Sequence, residues 1–110
     1  MSAGAGQEIV DEVLTWPGAS SHPHRFGGVE LRVGERQLGH LHGDLIADIP
    51  LPRSLRDELV AEGRVRSHRW RPDSGWVTVD LDPDRGKAEA VRLMRIGYER
   101  AMRARERRAG

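Results

Sequence analysis

The spacing of apolar positions changes along the chain, and each change marks a new element. In residues 7–16, Ile9, Val10, Val13 and Leu14 recur at helical spacing with Glu8, Asp11 and Glu12 on the other side, which predicts a short amphipathic helix. Trp16-Pro17-Gly18 ends it, because proline disfavours helix in its predecessor and glycine turns freely. Over residues 20–49 the period falls to two: Val29, Leu31 and Val33 alternate with Glu30 and Arg32, the pattern of a strand with one wet face. Gly34-Glu35-Arg36 turns the chain into an antiparallel partner over residues 37–41. Extended segments at 21–26 and 45–49, set off by Gly27-Gly28 and Gly43-Asp44, complete a meander of four short strands.

Pro52 suits the first turn of a second helix, which runs to about Glu62, buries Leu55, Leu59 and Val60, and stops at Gly63. Residues 65–70 and 76–81 read as a second hairpin around Arg71-Pro72-Asp73-Ser74-Gly75. Asp82-Pro83-Asp84 caps a last helix with an apolar stripe of Val91, Met94, Tyr98 and Met102. The predicted order is α-β-β-β-β-α-β-β-α. Runs of strands flanked by helices, without strict βαβ alternation, indicate an α+β fold with an antiparallel sheet packed on helices. The expected organisation is a flexible segment at 1–6, one domain over 7–102, and a basic, fraying tail at 103–110.

Composition narrows the function classes. A chain of 110 residues accommodates one domain. It has no cysteine, which excludes disulfides, thiolate metal sites and cysteine nucleophiles. The N-terminus lacks the basic and apolar regions of a signal peptide. No apolar run approaches the roughly 18 residues that cross a bilayer, so the expected location is the cytoplasm, with no membrane partner. The net charge of +1 conceals an asymmetry: residues 1–63 carry five arginines against ten carboxylates, whereas residues 85–110 carry eight arginines and Lys87 against Glu89, Glu99 and Glu106. That basic end, with Arg92, Arg95, Arg100, Arg103, Arg107 and Arg108, offers nucleic acid a non-specific electrostatic attraction. The near absence of lysine points instead to a coding bias toward arginine.

Four of the five histidines form two His-x-His pairs, His22/His24 and His40/His42, each in a predicted strand. Residues i and i+2 share a sheet face, so each pair aims two imidazoles at one volume, with Asp44 adjacent. If the strands are neighbours, His22, His24, His40 and His42 form a nitrogen-rich set suited to a transition metal. The competing reading is a polar sheet face without metal, and no cofactor is required. Gly34 followed by His40-x-His42 imitates a cupin motif, but the glutamate and the distant histidine of that motif are missing. Ser74 could be set against His68 as a nucleophile and base, yet turn geometry already accounts for Ser74-Gly75. Trp70 and Trp76 flank the second hairpin loop, suited to cross-strand packing.

Four blocks in order, His24-Arg25-Phe26-Gly27-Gly28, Gly39-His40-Leu41-His42-Gly43-Asp44, Pro52 with Arg56-Asp57-Glu58-Leu59, and Pro72-Asp73-Ser74-Gly75-Trp76, resemble the luciferase-domain family of small bacterial and fungal proteins. The resemblance runs over about residues 12–98. The family name does not carry an activity here, because flavin luciferases are (β/α)₈ barrels of about 250 residues. More remotely the element order is similar to the YjbR-like fold, which implies a curved antiparallel sheet. The resemblance implies that His24, Arg25, His40, His42, His68 and residues 72–76, including Asp73, Ser74 and Trp76, are the recurrent site features. The leading expectation is a binding or accessory domain without catalysis, whose polar His/Arg pocket takes a small anionic ligand or another protein. A metal-binding protein or metal-dependent enzyme using the His pairs, and nucleic-acid binding through the basic helix, are the alternatives.

Overall fold

Turn residues cut the chain at the expected places, and a computed structural model, which describes residues 4–68, 74–82 and 85–109, shows what they connect. The order is α1 (Ala5–Val13), β1 (Ala19–Pro23), a 3₁₀ turn (Arg25–Gly27), β2 (Val29–Val33), β3 (Arg36–His42), β4 (Ile46–Pro50), α2 (Arg53–Ala61), β5 (Arg66–Ser67), β6 (Trp76–Asp80) and α3 (Gly86–Ala109). The strands form one six-stranded sheet in the order β1-β2-β3-β4-β6-β5, with every neighbouring pair antiparallel. This is the α+β architecture that the sequence pattern implies.

The odd-numbered positions of β2 and β6 and the small or apolar residues Leu38, Leu41, Ala47 and Ile49 turn to one side. There they meet Ile9 and Val13 of α1 and Leu93, Met94 and Tyr98 of α3. Each of the valine, leucine, isoleucine and methionine side chains among them contributes roughly 1.5–3 kcal/mol when fully buried. Gly39 lets α3 approach: a Cβ there would lie 2.9 Å from Met94 Cε and 2.8 Å from the Asp48 carbonyl oxygen. Tyr98 closes the layer by donating its hydroxyl to the Pro17 carbonyl at 2.6 Å, with Trp16 packed 5.3 Å from its ring.

The pairing of β2 with β3 is irregular. Leu31 faces Gly39 but Arg32 faces Gln37, so Leu38 is an extra residue on β3. Such a bulge resets the alternation. Gln37 and His40, three apart, therefore share the side away from the helices, while Leu38 stays in the core.

Four expectations need adjusting. β1 stops at Pro23, so residues 24–26 are not strand: Phe26 and Gly27 take positive φ (58° and 76°) and reverse the chain. α1 starts at Ala5, inside the segment expected to be flexible, because Asp44 accepts the Gly6 N–H at 2.8 Å and ties down that end. β5 is shorter than expected. α3 continues through Ala109 where fraying is expected beyond Met102, since Arg, Ala and Glu are good helix formers and Arg107 and Arg108 complement the helix dipole at its last turn. Asp82 caps α3 as predicted, accepting the Arg85 N–H at 2.8 Å. Pro83, Asp84, Trp70, Arg71, Pro72 and Asp73 lie outside the described residues.

Candidate metal centre

With all three helices on one side, the other side of the sheet carries the polar set of the alternating strands. In register across it lie His22 and Glu30, Glu30 and His40, His40 and Asp48, and Asp48 and Thr78. His24 joins them from the residue just past β1. Its N–H bonds to the Gly28 carbonyl at 2.8 Å, and the Gly28 N–H to the Arg25 carbonyl at 3.1 Å, so the turn folds back and brings the imidazole over the sheet. The turn is strained at Phe26, a fully exposed side chain at positive φ, which costs a non-glycine residue about 1–2 kcal/mol.

The rings pack closely. His24 stacks on His40 with centroids 3.8 Å apart, His42 lies edge-on to His24 at 5.9 Å, and Trp76 flanks His40 at 5.0 Å and His68 at 6.4 Å. Two carboxylates are buried beneath them, Glu30 at 6% exposure and Asp48 at 4%. Glu30 uses its oxygens separately: Oε2 accepts from Arg32 Nε, while Oε1 lies 3.7 Å from His24 Nδ1 and 3.5 Å from His40 Nε2. Asp48 accepts the Thr78 hydroxyl on Oδ1 at 2.7 Å, and its Oδ2 lies 3.0 Å from His42 Nε2 and 3.7 Å from His68 Nε2.

Charge follows from this packing. Burial pushes the Glu30 carboxyl upward, but the Arg32 hydrogen bond and the positive field of Arg32, His40 and His24 prevail and hold it below its ordinary 4.5. His40 is moved below its ordinary 6.5, chiefly by burial and then by His24, against the pull of Glu30. Both shifts favour the deprotonated forms, and these are the forms that a metal ion takes as ligands.

His24, Glu30 and His40 form the one group among the described residues whose donor atoms, one from each, all lie within 4.8 Å of one another. The two sequence pairs therefore converge in part: His24 and His40 meet, and His42 turns to Asp48. His22 is engaged with Ser20 Oγ at 2.8 Å and stands outside the group. Asp44 serves α1 rather than the imidazoles. Arg25 is exposed on the 3₁₀ turn, and Ser74 Oγ accepts the Trp76 N–H at 3.2 Å, in keeping with its turn role. Asp73 falls outside the described residues.

Sequence reasoning missed both carboxylates. Asp48 left a signal, an acid set among Ile46, Ala47 and Ile49, whereas Glu30 reads like any solvent-face residue of an alternating strand. A groove of about 800 Å³ between α1 and α3 lies on the helical side and is lined by mixed charges around Trp16. It shares no residue with the imidazole cluster.

Comparison with known proteins adds one finding. A family model described as Luciferase domain matches residues 35–97, which include His40, His42, Asp48, His68 and Trp76 but not His24 or Glu30. The matched stretch is narrower than the resemblance read from the sequence. No curated protein and no solved structure matches.

Proposed function

The chain belongs to the luciferase domain family, and from that premise we propose that it is a binding domain whose open sheet face takes a divalent transition metal through His24, Glu30 and His40. The observation that carries this is the pair of imidazole nitrogens facing a single buried carboxylate oxygen at 3.7 and 3.5 Å. Imidazole nitrogen and carboxylate oxygen bind zinc-like ions at about 2.0–2.2 Å, which sets donors around one ion about 3.0–3.5 Å apart. The donor atoms here all lie within 4.8 Å of one another, so binding would draw them together. Arg32, on the other Glu30 oxygen, holds the carboxylate in place as outer-shell partners of metal ligands do. His40 Nε2 also lies 2.7 Å from Gln37 Oε1, a contact that metal binding would replace.

Two buried carboxylates favour a cation over a bare anion on this face. A small anion would therefore be held through the metal, since three protein donors leave coordination positions open. That accommodates the binding-domain reading without assigning a reaction.

Elemental analysis after equilibration with zinc, on untagged protein purified without a nickel column, tests the proposal. We expect about one ion per chain, with affinity reduced roughly 10-fold or more in Glu30→Gln and uptake lost in the double variant His24→Ala/His40→Ala. His22→Ala should bind as the parent does. Unchanged uptake in the double variant would refute the assignment.

A further inference from the structure

The arginines divide into two populations. Arg32, Arg56, Arg64, Arg66, Arg92 and Arg95 each sit within 4.0 Å of a carboxylate. Arg95 also lies over the rings of Trp16 and Tyr98. Arg25, Arg36, Arg53, Arg85, Arg100, Arg103, Arg105, Arg107 and Arg108 have no ion pair among the described residues, and four of these, Arg36, Arg100, Arg105 and Arg108, are exposed and line neighbouring clefts. They gather at one end of the molecule, where the β2–β3 turn meets the second half of α3. Two clefts of about 500 and 220 Å³ share Arg36. The first is lined by Arg105 and Arg108, the second by Arg100. Of the helix residues, Gly97 and Arg100 border the smaller cleft and Ala101, Ala104, Arg105 and Arg108 the larger, at spacings of one helix face, so the clefts follow one another along a single edge. Glu35 is the one carboxylate among the lining residues. The Arg105 guanidinium reaches over Gly18 and the β2–β3 turn, where Cβ atoms built at Gly18 and Gly34 would lie 3.8 and 3.9 Å from its Nη1.

We propose that this edge, centred on Arg36, Arg100, Arg105 and Arg108, binds the phosphate backbone of nucleic acid. It is independent of the metal centre, which lies on the opposite face of the sheet from the helices. Its charges extend along about 12 Å of helix, counting 1.5 Å per residue, which suits successive phosphates better than a single small anion. The exposed large apolar side chains of the described residues, Leu14, Phe26 and Leu45, do not line these clefts, so nothing here would insert into a bilayer. Of the arginines that the sequence suggested for this role, Arg92 and Arg95 are engaged by Glu89 and Glu99, and Arg36 and Arg105 join from positions it did not single out.

Fluorescence anisotropy of the full chain with a labelled duplex of about 20 base pairs, between about 50 and 200 mM salt, tests this. Four neutralised phosphates predict a slope of log K against log salt of roughly −3.6. Arg105→Gln/Arg108→Gln should reduce that slope by about 2 and weaken binding 10-fold or more at low salt. Arg36→Gln, on a different element, should weaken it too, which separates lost contacts from a disturbed helix end. The control Arg92→Gln/Arg95→Gln should bind nearly as the parent does. Absence of binding at about 50 mM salt, equal losses in the control and the test variants, or binding to phosphatidylserine vesicles but not to the duplex would each overturn the assignment.

Discussion

Glu30 and His40 sit side by side with little water around either, and neither carries its ordinary proton affinity. The carboxyl is pushed up by burial and pulled down further by Arg32 and the imidazoles, and the imidazole is pushed down mainly by burial. Both groups therefore bind fewer protons in the folded chain than in the unfolded one, so stability rises with pH over the range where they titrate. The sign holds for each: on acidification the unfolded chain takes up the proton first. Metal-free protein should lose stability as the pH falls below 6.5, the ordinary value for His40, and lose more below 4.5, the ordinary value for Glu30. Urea titrations at a series of pH values check this, and His40→Gln should flatten the upper part of the profile. A parent profile already flat between these two values would contradict the packing described for His40.

Elements are held in register by small residues as much as by large ones. The bulge at Leu38 keeps a leucine in the core while turning both Gln37 and His40 to the open face. Gly39 then sits under α3, where a side chain would meet the Asp48 carbonyl at 2.8 Å and Met94 at 2.9 Å. The first contact is backbone and cannot swing away. Gly39→Val should therefore cost about 1–3 kcal/mol, as overpacking in a filled core does, measured by chemical denaturation. Because β3 carries His40, the same substitution should also weaken metal uptake. Full stability in Gly39→Val would show that α3 does not lie against the sheet as described.

Among the described residues α1 and α3 pack against the side of the sheet opposite the imidazoles, and no helix among them is long and apolar enough to cross a membrane. The three proposed ligands come from the turn after β1, from β2 and from β3, so they assemble only when the sheet does. Metal binding must then be linked to folding. At a free zinc concentration about 100-fold above Kd the gain should be about 2.7 kcal/mol, a rise in Tm on the order of 10–20 °C for a chain of this size. Thermal scans with and without zinc measure it, and Glu30→Gln, with affinity about 10-fold weaker or more, should cut the shift by about half or more. A zinc-induced rise of equal size in that variant would place the ion elsewhere.

By itself the sequence determined the order of elements, the four-strand meander, the second hairpin and the α+β class, because period, proline and glycine act locally and leave local marks. It also placed His22, His40 and His42 correctly on strands, but not His24, which lies just past the end of β1. Tertiary structure alone decided which of them meet. His24 reaches His40 because β1 ends at Pro23 and the turn at Phe26 folds back; had the strand run on, His22 and His24 would have shared one row. The burial of Glu30 and Asp48, and the pairing of Arg92 and Arg95 that leaves Arg36 and Arg105 free of carboxylates, were equally invisible. Alternation reports which side of its own strand a residue takes. Burial and charge pairing depend on neighbours contributed by other strands and helices, and only the folded chain brings those neighbours together.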